Sequence, residues 1–160
     1  MDIASKQNKP PHLLPFSRKL FLSVIMLFLV FAGCFLTYQY GCEKRYKIEL
    51  LDLQLENCNE RLFQHLEPAS PQKWHDKITA FLKSNGNKDL RITIIDLKGN
   101  VLLDSYENHK LKNHANRPEV RLAMQKGHGY DVRRTSESTG LTYFYSASKY
   151  NNYLIRSALP

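Results

Sequence analysis

The sequence has little cysteine and no concentrated basic tract. Its three cysteines, Cys34, Cys42 and Cys58, all precede residue 71, so the C-terminal part has no disulfide framework and no Cys-x-x-Cys metal site. The formal net charge is +8, but lysine and arginine are scattered, with no run longer than two. A scattered distribution favours a solvated basic surface. Nucleic acid is therefore not an expected partner.

The sequence also lacks the patterns that accompany catalysis. No Ser-His-Asp order, carboxylate pair or glycine-rich phosphate loop stands out. His109, His114 and His128 could form a metal site with Asp104 or Asp131, but their spacing matches no standard site, and solvated or capping histidines are favoured. We expect no catalytic residue, no metal and no cofactor in these 160 residues.

One long apolar segment is present, residues 20–40 (LFLSVIMLFLVFAGCFLTYQY). About 20 apolar residues in a helix cross a bilayer core of ~30 Å, and the closing tyrosines suit the headgroup layer. This predicts an uncleaved transmembrane helix. A cleaved signal peptide is one alternative. A lipoprotein signal is the other, because Phe31-Ala32-Gly33 precedes Cys34, which would then carry lipid.

The charges that flank this segment favour one orientation. Four basic residues precede it and three follow it within a few positions: Lys6, Lys9, Arg18 and Lys19, then Lys44, Arg45 and Lys47. The positive-inside bias places the N-terminus in the cytoplasm. Residues 1–19, with Pro10, Pro11 and Pro15, are predicted to be a disordered cytoplasmic leader. The C-terminal domain is predicted to lie outside a bacterial inner membrane.

Residues 43–66 are predicted to form a stalk helix. Apolar residues recur at spacings of 3, 4, 3 and 4, which is typical of a coiled-coil dimer seam. The seam residues are Ile48, Leu51, Leu55, Cys58 and Leu62. A homodimer could then form a disulfide at Cys58 in an oxidising compartment. The alternative is that this helix packs on its own domain.

The remaining residues, 71–160, predict an α+β domain. Helices are expected at 72–83 and 118–125, and strands at 91–96, 101–104, 129–135, 141–148 and 153–158. The last three strands are linked by short turns and must therefore be antiparallel neighbours. A five-stranded antiparallel sheet with flanking helices follows.

A few polar and aromatic residues form a candidate ligand site in this domain. Asn116 and Glu119 have the spacing of a capping box at the start of the second helix. Tyr143 and Tyr145 share one face of their strand, where core packing is the alternative to a pocket. Arginines 117 and 133 could face an anionic ligand between the sheet and the loop at 106–116. The candidate ligand-binding residues are His114, Arg117, Arg133, Tyr143 and Tyr145.

Five ordered stretches carry a resemblance to a known family. They are RITIIDLKGNVLLDS (91–105), NHANRPEVRLAMQKGHG (113–129), RRTS (133–136), YSA (145–147) and LIRSALP (154–160). In order and spacing they resemble the extracytoplasmic PAS-like or Cache-like domain of bacterial sensor histidine kinases, particularly the phosphate-regulon sensor type.

The resemblance implies a PAS-like input domain in a dimeric membrane receptor, which acts on a cognate response regulator. The kinase part would have to lie beyond these residues. Neither His65, followed by Leu66-Glu67-Pro68, nor His75 lies in a phosphoacceptor box. The alternatives are a stand-alone lipid- or membrane-anchored binding or structural protein, or the sensor region of a chemotaxis receptor or diguanylate cyclase.

Overall fold

The computed structural model describes residues 15–107, 111–135 and 140–160, without the side chain of Arg133. The chain divides into two compact units, Met1–Arg45 and Tyr46–Pro160. Most of the predicted leader lies outside the described residues. Its last part differs from the prediction, because the first helix begins at Phe16.

Helix α1 (Phe16–Leu66) contains both the predicted transmembrane segment and the predicted stalk, without interruption. It is long and apolar enough to cross a membrane. Polar hydroxyls in the apolar part bond to carbonyls of the same helix. Ser23 Oγ donates to Leu20 O, and Thr37 Oγ1 donates to Cys34 O, both at 2.8 Å. Such internal pairing is what a hydrocarbon environment requires of a polar side chain.

The second unit has the α+β architecture that the sequence predicted. After α1 come a short 3-10 helix, two helices and five strands: Pro71–Lys73, α2 (Trp74–Asn85), β1 (Arg91–Asp96), β2 (Val101–Asp104), α3 (Pro118–Lys126), β3 (His128–Thr135), β4 (Thr142–Lys149) and β5 (Tyr153–Leu159). The described strands pair antiparallel in the order β2-β1-β5-β4-β3. The first hairpin therefore lies beside the last strand.

One face of the sheet, here called the α1 face, packs against the C-terminal half of α1 and against α2. Alternate strand residues Ile92, Ile94 and Ile155 are buried there together with Leu62 and Phe81. The period-2 alternation of strands places these isoleucines on one face, and the helix supplies its apolar stripe.

This packing accounts for most of the predicted dimer seam. Leu55, Cys58 and Leu62 are only 2%, 8% and 0% exposed, because they fill the core of their own domain. Ile48 and Leu51 are half-buried and pack against the same cluster. Leu55, Cys58 and Leu62 therefore make the intrachain contact that was the alternative to a dimer seam. An intersubunit seam with a Cys58 disulfide stays a prediction.

The opposite face, here called the α3 face, is covered by α3. Ile95, Ala147 and Leu154 are fully buried there against Val120 and Ala123. The helix approaches closely because β3 has a glycine at the contact. A Cβ at Gly129 would lie 2.4 Å from Leu122 Cβ and 2.7 Å from the Glu119 carbonyl oxygen.

The predicted capping box at α3 is wrong. Arg117, in extended conformation, is the N-cap residue, and no side chain caps the helix. Pro118 at the first helical position needs no hydrogen-bond acceptor there. The Glu119 side chain turns instead toward the sheet and is completely buried.

Candidate functional site

The α3 face carries a group of buried charges, here called the arginine cluster: Arg91, Asp104, Glu119, Arg134 and Arg156. Arg91 Nε lies 3.1 Å from both carboxylate oxygens of Asp104, and the two side chains are 3% and 1% exposed. Charges this deeply buried require ionic partners, since desolvation is costly.

Glu119 is the acceptor for two further arginines. Arg134 Nη1 and Nη2 donate to its two oxygens at 2.7 and 2.8 Å, a bidentate pair, and Arg156 Nη1 donates at 3.3 Å. Burial by itself raises the pKa of Glu119. The hydrogen bonds from Arg134 and the charge of Arg156 outweigh burial, so the pKa lies below its ordinary value and the carboxyl is ionised at neutral pH.

A threonine joins the two ion-pair groups into one network. Thr93 Oγ1 donates to Asp104 Oδ2 at 2.8 Å and accepts from Arg156 Nη2 at 3.1 Å. The network therefore runs from β2 through β1 and β5 to α3 and β3.

Aromatic rings lie beneath the guanidinium groups. The guanidinium carbons of Arg134 and Arg156 are 4.1 and 4.9 Å from the centre of the Tyr145 ring, and the Tyr143 ring centre lies 5.9 Å from that of Tyr145. Cation–π attraction of this kind is strongest where water is excluded. Tyr145 therefore helps to hold both arginines in place.

His114 reaches the cluster because the β1–β2 turn holds its loop. The His114 backbone N–H donates to the Gly99 carbonyl at 2.7 Å, and Asn113 Nδ2 donates to Lys98 O and Asn100 Oδ1 at 2.9 Å. Burial, followed by the charges of Arg156 and Arg117, lowers the pKa of His114 to about 4. The imidazole is therefore neutral at pH 7.

Two buried nitrogen atoms in this region have no hydrogen-bond partner among the described residues, His114 Nδ1 and Arg156 Nε. The two residues are only 6% and 3% exposed. Buried donors without partners are rare in folded proteins, because each leaves a desolvation cost unrecovered. This end of the network therefore has hydrogen-bonding capacity that the described residues do not use.

The structure brings together three of the five predicted ligand-site residues. His114, Tyr143 and Tyr145 lie at the α3 face, and Arg117 caps α3 next to His114. Nothing is described for the side chain of Arg133. Sequence reasoning missed Arg91, Arg134 and Arg156, although a signal existed. Arg156 lies two residues from Leu154 and two from Ala158 in β5, so it shares a face of the strand with two apolar residues, and this indicates a buried charge.

The histidines considered for a metal site are separated. His109 lies outside the described residues, and His114 belongs to the α3 face. His128 packs against α1 on the opposite face, where its Nε2 donates to Asp52. In the described ranges, no three His, Cys, Asp or Glu side chains are grouped as metal ligands.

Comparison with known proteins identifies a fold but no family. No protein-family model and no curated protein matches the sequence. Among solved structures, the chain is similar to the Bacillus subtilis YkuI protein, described with an EAL domain in complex with substrate c-di-GMP and calcium. That match has 12% identity and a TM-score of 0.56, and it covers 76% of this chain and 35% of YkuI.

A second similar structure is the extracellular domain of rpHK1S-Z16, a protein classed as a histidine kinase. It shares 17% identity with a TM-score of 0.42, over 53% of this chain and 36% of that one. At that score the similarity does not define a common fold. The chain thus spans about a third of the length of each structure, and it shares its α+β fold with part of YkuI.

Proposed function

We propose that this chain is the signal-input region of a membrane-anchored sensor histidine kinase, with a PAS-like domain of the phosphate-regulon type. One observation carries the proposal. The helix that contains the apolar segment packs on one face of the sheet, and the buried arginine cluster lies on the other. Only the thickness of the sheet therefore separates the arginine cluster, where a ligand would bind, from α1.

The order of elements supports a PAS-like or Cache-like domain. The chain forms, in order, a long helix, a second helix, two strands, a helix and three strands, which is also the element order of PAS-like and Cache-like sensor domains. The fold shared with part of YkuI agrees with a module that is joined to other domains. The full receptor is proposed to be a homodimer at the inner membrane, with its kinase part acting on a response regulator.

The ligand proposed for the α3 face is a small carboxylate or phosphate. Arg156 Nε suits an acceptor oxygen, and neutral His114 can donate or accept according to its tautomer. Arg117, Arg133, Tyr143 and Tyr145 are proposed to complete the site. Ligand binding would shift a two-state equilibrium of the receptor only by the difference in affinity between the states.

The output class is tested by sequencing the gene beyond the codon for Pro160. The proposal predicts a second apolar segment of about 20 residues, then a helix with a phosphoacceptor histidine and an ATP-binding domain. A reading frame that leads into another catalytic domain, or into none, would contradict the histidine kinase assignment.

The likeness to YkuI favours one second candidate, the input region of a protein of c-di-GMP signalling. The same sequencing separates the two, since an EAL or diguanylate cyclase domain would follow. A stand-alone lipoprotein is separated by labelling with a radioactive fatty acid. Incorporation that is lost in Cys34→Ser and kept in Cys42→Ser would support the lipid anchor and contradict the transmembrane helix.

A further inference from the structure

The contact between α1 and the sheet is apolar along most of its length, but polar side chains also lie in it, among them a group here called the His128 cluster. It consists of Asp52 and Glu56 on α1, His128 at the start of β3, and Ser146 and Ser148 on β4. His128 Nε2 donates to Asp52 Oδ2 and Oδ1 at 2.9 and 3.1 Å. Glu56 Oε1 lies 3.7 Å from Nδ1 of the same ring.

The cluster is partly shielded from water. The side chains of His128 and Asp52 are 27% and 14% exposed, whereas Glu56 is 46% exposed. Ser146 Oγ donates to Asp52 Oδ1 at 2.9 Å, which fixes the carboxylate against β4. The attraction between His128 and Asp52 therefore acts in a less polar medium than the surface, where it is stronger.

The hydrogen bonds depend on whether the imidazole carries one proton or two. A neutral ring donates from Nε2 to Asp52, so its Nδ1 must accept from Ser148 Oγ, 3.4 Å away. A protonated ring donates from both nitrogens and faces the two carboxylates as a cation. Ser148 Oγ, which also accepts from Asn59 Nδ2 at 3.2 Å, is then released to donate elsewhere.

We propose that the His128 cluster is a pH-sensitive contact by which α1 is held to the β3–β4 edge of the sheet. Uptake of one proton at His128 tightens the contact, and release of that proton loosens it. This inference goes beyond the proposed function, because it requires neither a ligand nor any output domain.

The two carboxylates that face His128 both raise the pKa of its imidazole. The hydrogen bond to Asp52 raises its pKa, burial opposes this, and the charges of Asp52 and Glu56 add to the increase, so that the pKa lies above 6.5. From β4 only hydroxyl groups face the ring, and Ser148 in turn bonds to Tyr150, which also bonds to Glu60. The stabilisation is fully present below pH 6.5 and is lost as the pH rises through the raised pKa.

The rate at which a reagent labels the Cys58 thiol measures how often this contact opens. Cys58 lies on α1 in the core between helix and sheet and is 8% exposed, so a thiol reagent reaches it only when α1 separates from the sheet. In the full chain in nanodiscs, Cys34→Ser and Cys42→Ser leave Cys58 as the only thiol. His128→Gln keeps a donor for Asp52 but cannot be protonated, and His75→Gln, an exposed histidine on α2, is the matched control.

The quantity to compare is the labelling rate of His128→Gln divided by that of the parent, at pH 6 and at pH 8. Burial raises the pKa of the Cys58 thiol to about 11, but this affects both proteins equally and cancels in the ratio. We expect the ratio to be larger at pH 6 than at pH 8 by about threefold or more, as for a partly buried ion pair. His75→Gln should give a ratio near one at both values.

Equal His128→Gln ratios at the two pH values would overturn the proposal. An NMR titration of the His128 ring, in the parent protein and in Asp52→Asn, provides a second measurement that does not use His128→Gln. The proposal requires a midpoint above 6.5 that falls in Asp52→Asn. A midpoint at or below 6.5 in the parent, or one unchanged by Asp52→Asn, would also overturn it.

Discussion

Glu119 is the residue on which the two halves of the arginine cluster meet. Its carboxylate is fully buried and accepts hydrogen bonds from Arg134 and Arg156. Removing this charge leaves the guanidinium groups of Arg134 and Arg156 without the carboxylate that they share. A buried ion pair broken on one side is costly even when the intact pair contributes little.

The substitution Glu119→Gln is therefore expected to lower the free energy of unfolding by about 3 kcal/mol. The full chain in detergent, unfolded with urea and followed by the fluorescence of its single tryptophan, Trp74, provides the measurement. Glu49→Gln, at an exposed position on α1, is the control and should change stability by less than about 0.5 kcal/mol. Equal effects of the two substitutions would show that the Glu119 charge is not needed.

His114 and His128 respond to pH in opposite directions. His114 is buried in neutral form with a pKa of about 4, against 6.5 ordinarily. Its contribution to stability is complete above pH 6.5 and is lost as the pH falls toward 4, by roughly 3 kcal/mol in all. His128 stabilises below pH 6.5 and loses its contribution above its raised pKa.

His114→Gln should therefore flatten the dependence of stability on pH between 6.5 and 5, where the parent becomes less stable on acidification. Urea unfolding at pH 6.5 and at pH 5, with His75→Gln as the control, measures the difference. The carboxyls of Asp96 and Glu119, whose pKa values are lowered by their hydrogen bonds, lose their contributions only as the pH falls below the ordinary carboxyl pKa, in every variant. If His114→Gln and the parent lose equal stability, His114 is not buried in neutral form.

At the scale of elements, the β1–β2 turn positions the loop that carries His114. Asp96 accepts hydrogen bonds from the backbone N–H groups of Lys98 and Asn100, and Gly99 has a φ of +83°. A Cβ at Gly99 would lie 2.5 Å from Ala115 Cβ, so the loop can pack on the turn only if this residue is glycine.

Gly99→Ala should cost about 2–4 kcal/mol, because steric overlap adds to the strain of a positive φ. Gly86→Ala is a matched control, since Gly86 has a φ of +69° but open space around it, and it should cost only about 1 kcal/mol. Comparing the free energies of unfolding of the two variants in urea separates the cost of steric overlap from the strain of a positive φ. Equal losses would mean that the loop does not pack on the turn.

The elements of the domain could be predicted from the sequence because local signals agree with the fold. Strand β1 has a β-branched run, and Gly86 and Gly127 end helices in the left-handed conformation that favours glycine. The start of α3 at Pro118 was predicted correctly, but its capping could not be predicted in the same way. A capping box would require the Glu119 side chain to bond to the backbone before the helix. That side chain instead binds Arg134, which is 15 residues away in the sequence.

The site could be predicted only in part. Alternation along β4 correctly placed Tyr143 and Tyr145 on one face, since that depends on local geometry. The pairing of Arg91 with Asp104 and the meeting of Arg156 with Glu119 depend on strand order and on the α3 contact, which periodicity does not specify. The heptad spacing on α1 likewise indicates an apolar stripe but not its partner.

At the scale of the whole molecule, α1 is one helix from Phe16 to Leu66 that begins with an apolar segment and ends in the domain core. We propose that the domain is an input module outside the cytoplasmic membrane. The flanking charges favour this orientation by only one residue, so the side on which the domain lies is the property to measure.

The most direct test is thiol labelling of bacterial spheroplasts with a membrane-impermeant maleimide. Lys98→Cys, at an exposed turn of the sheet, and Lys6→Cys are introduced separately into the Cys34→Ser, Cys42→Ser chain, in which Cys58 is buried. An exported domain predicts labelling of Lys98→Cys in intact spheroplasts and of Lys6→Cys only after lysis. The reverse pattern, or protection of both until lysis, would contradict an extracytoplasmic input domain.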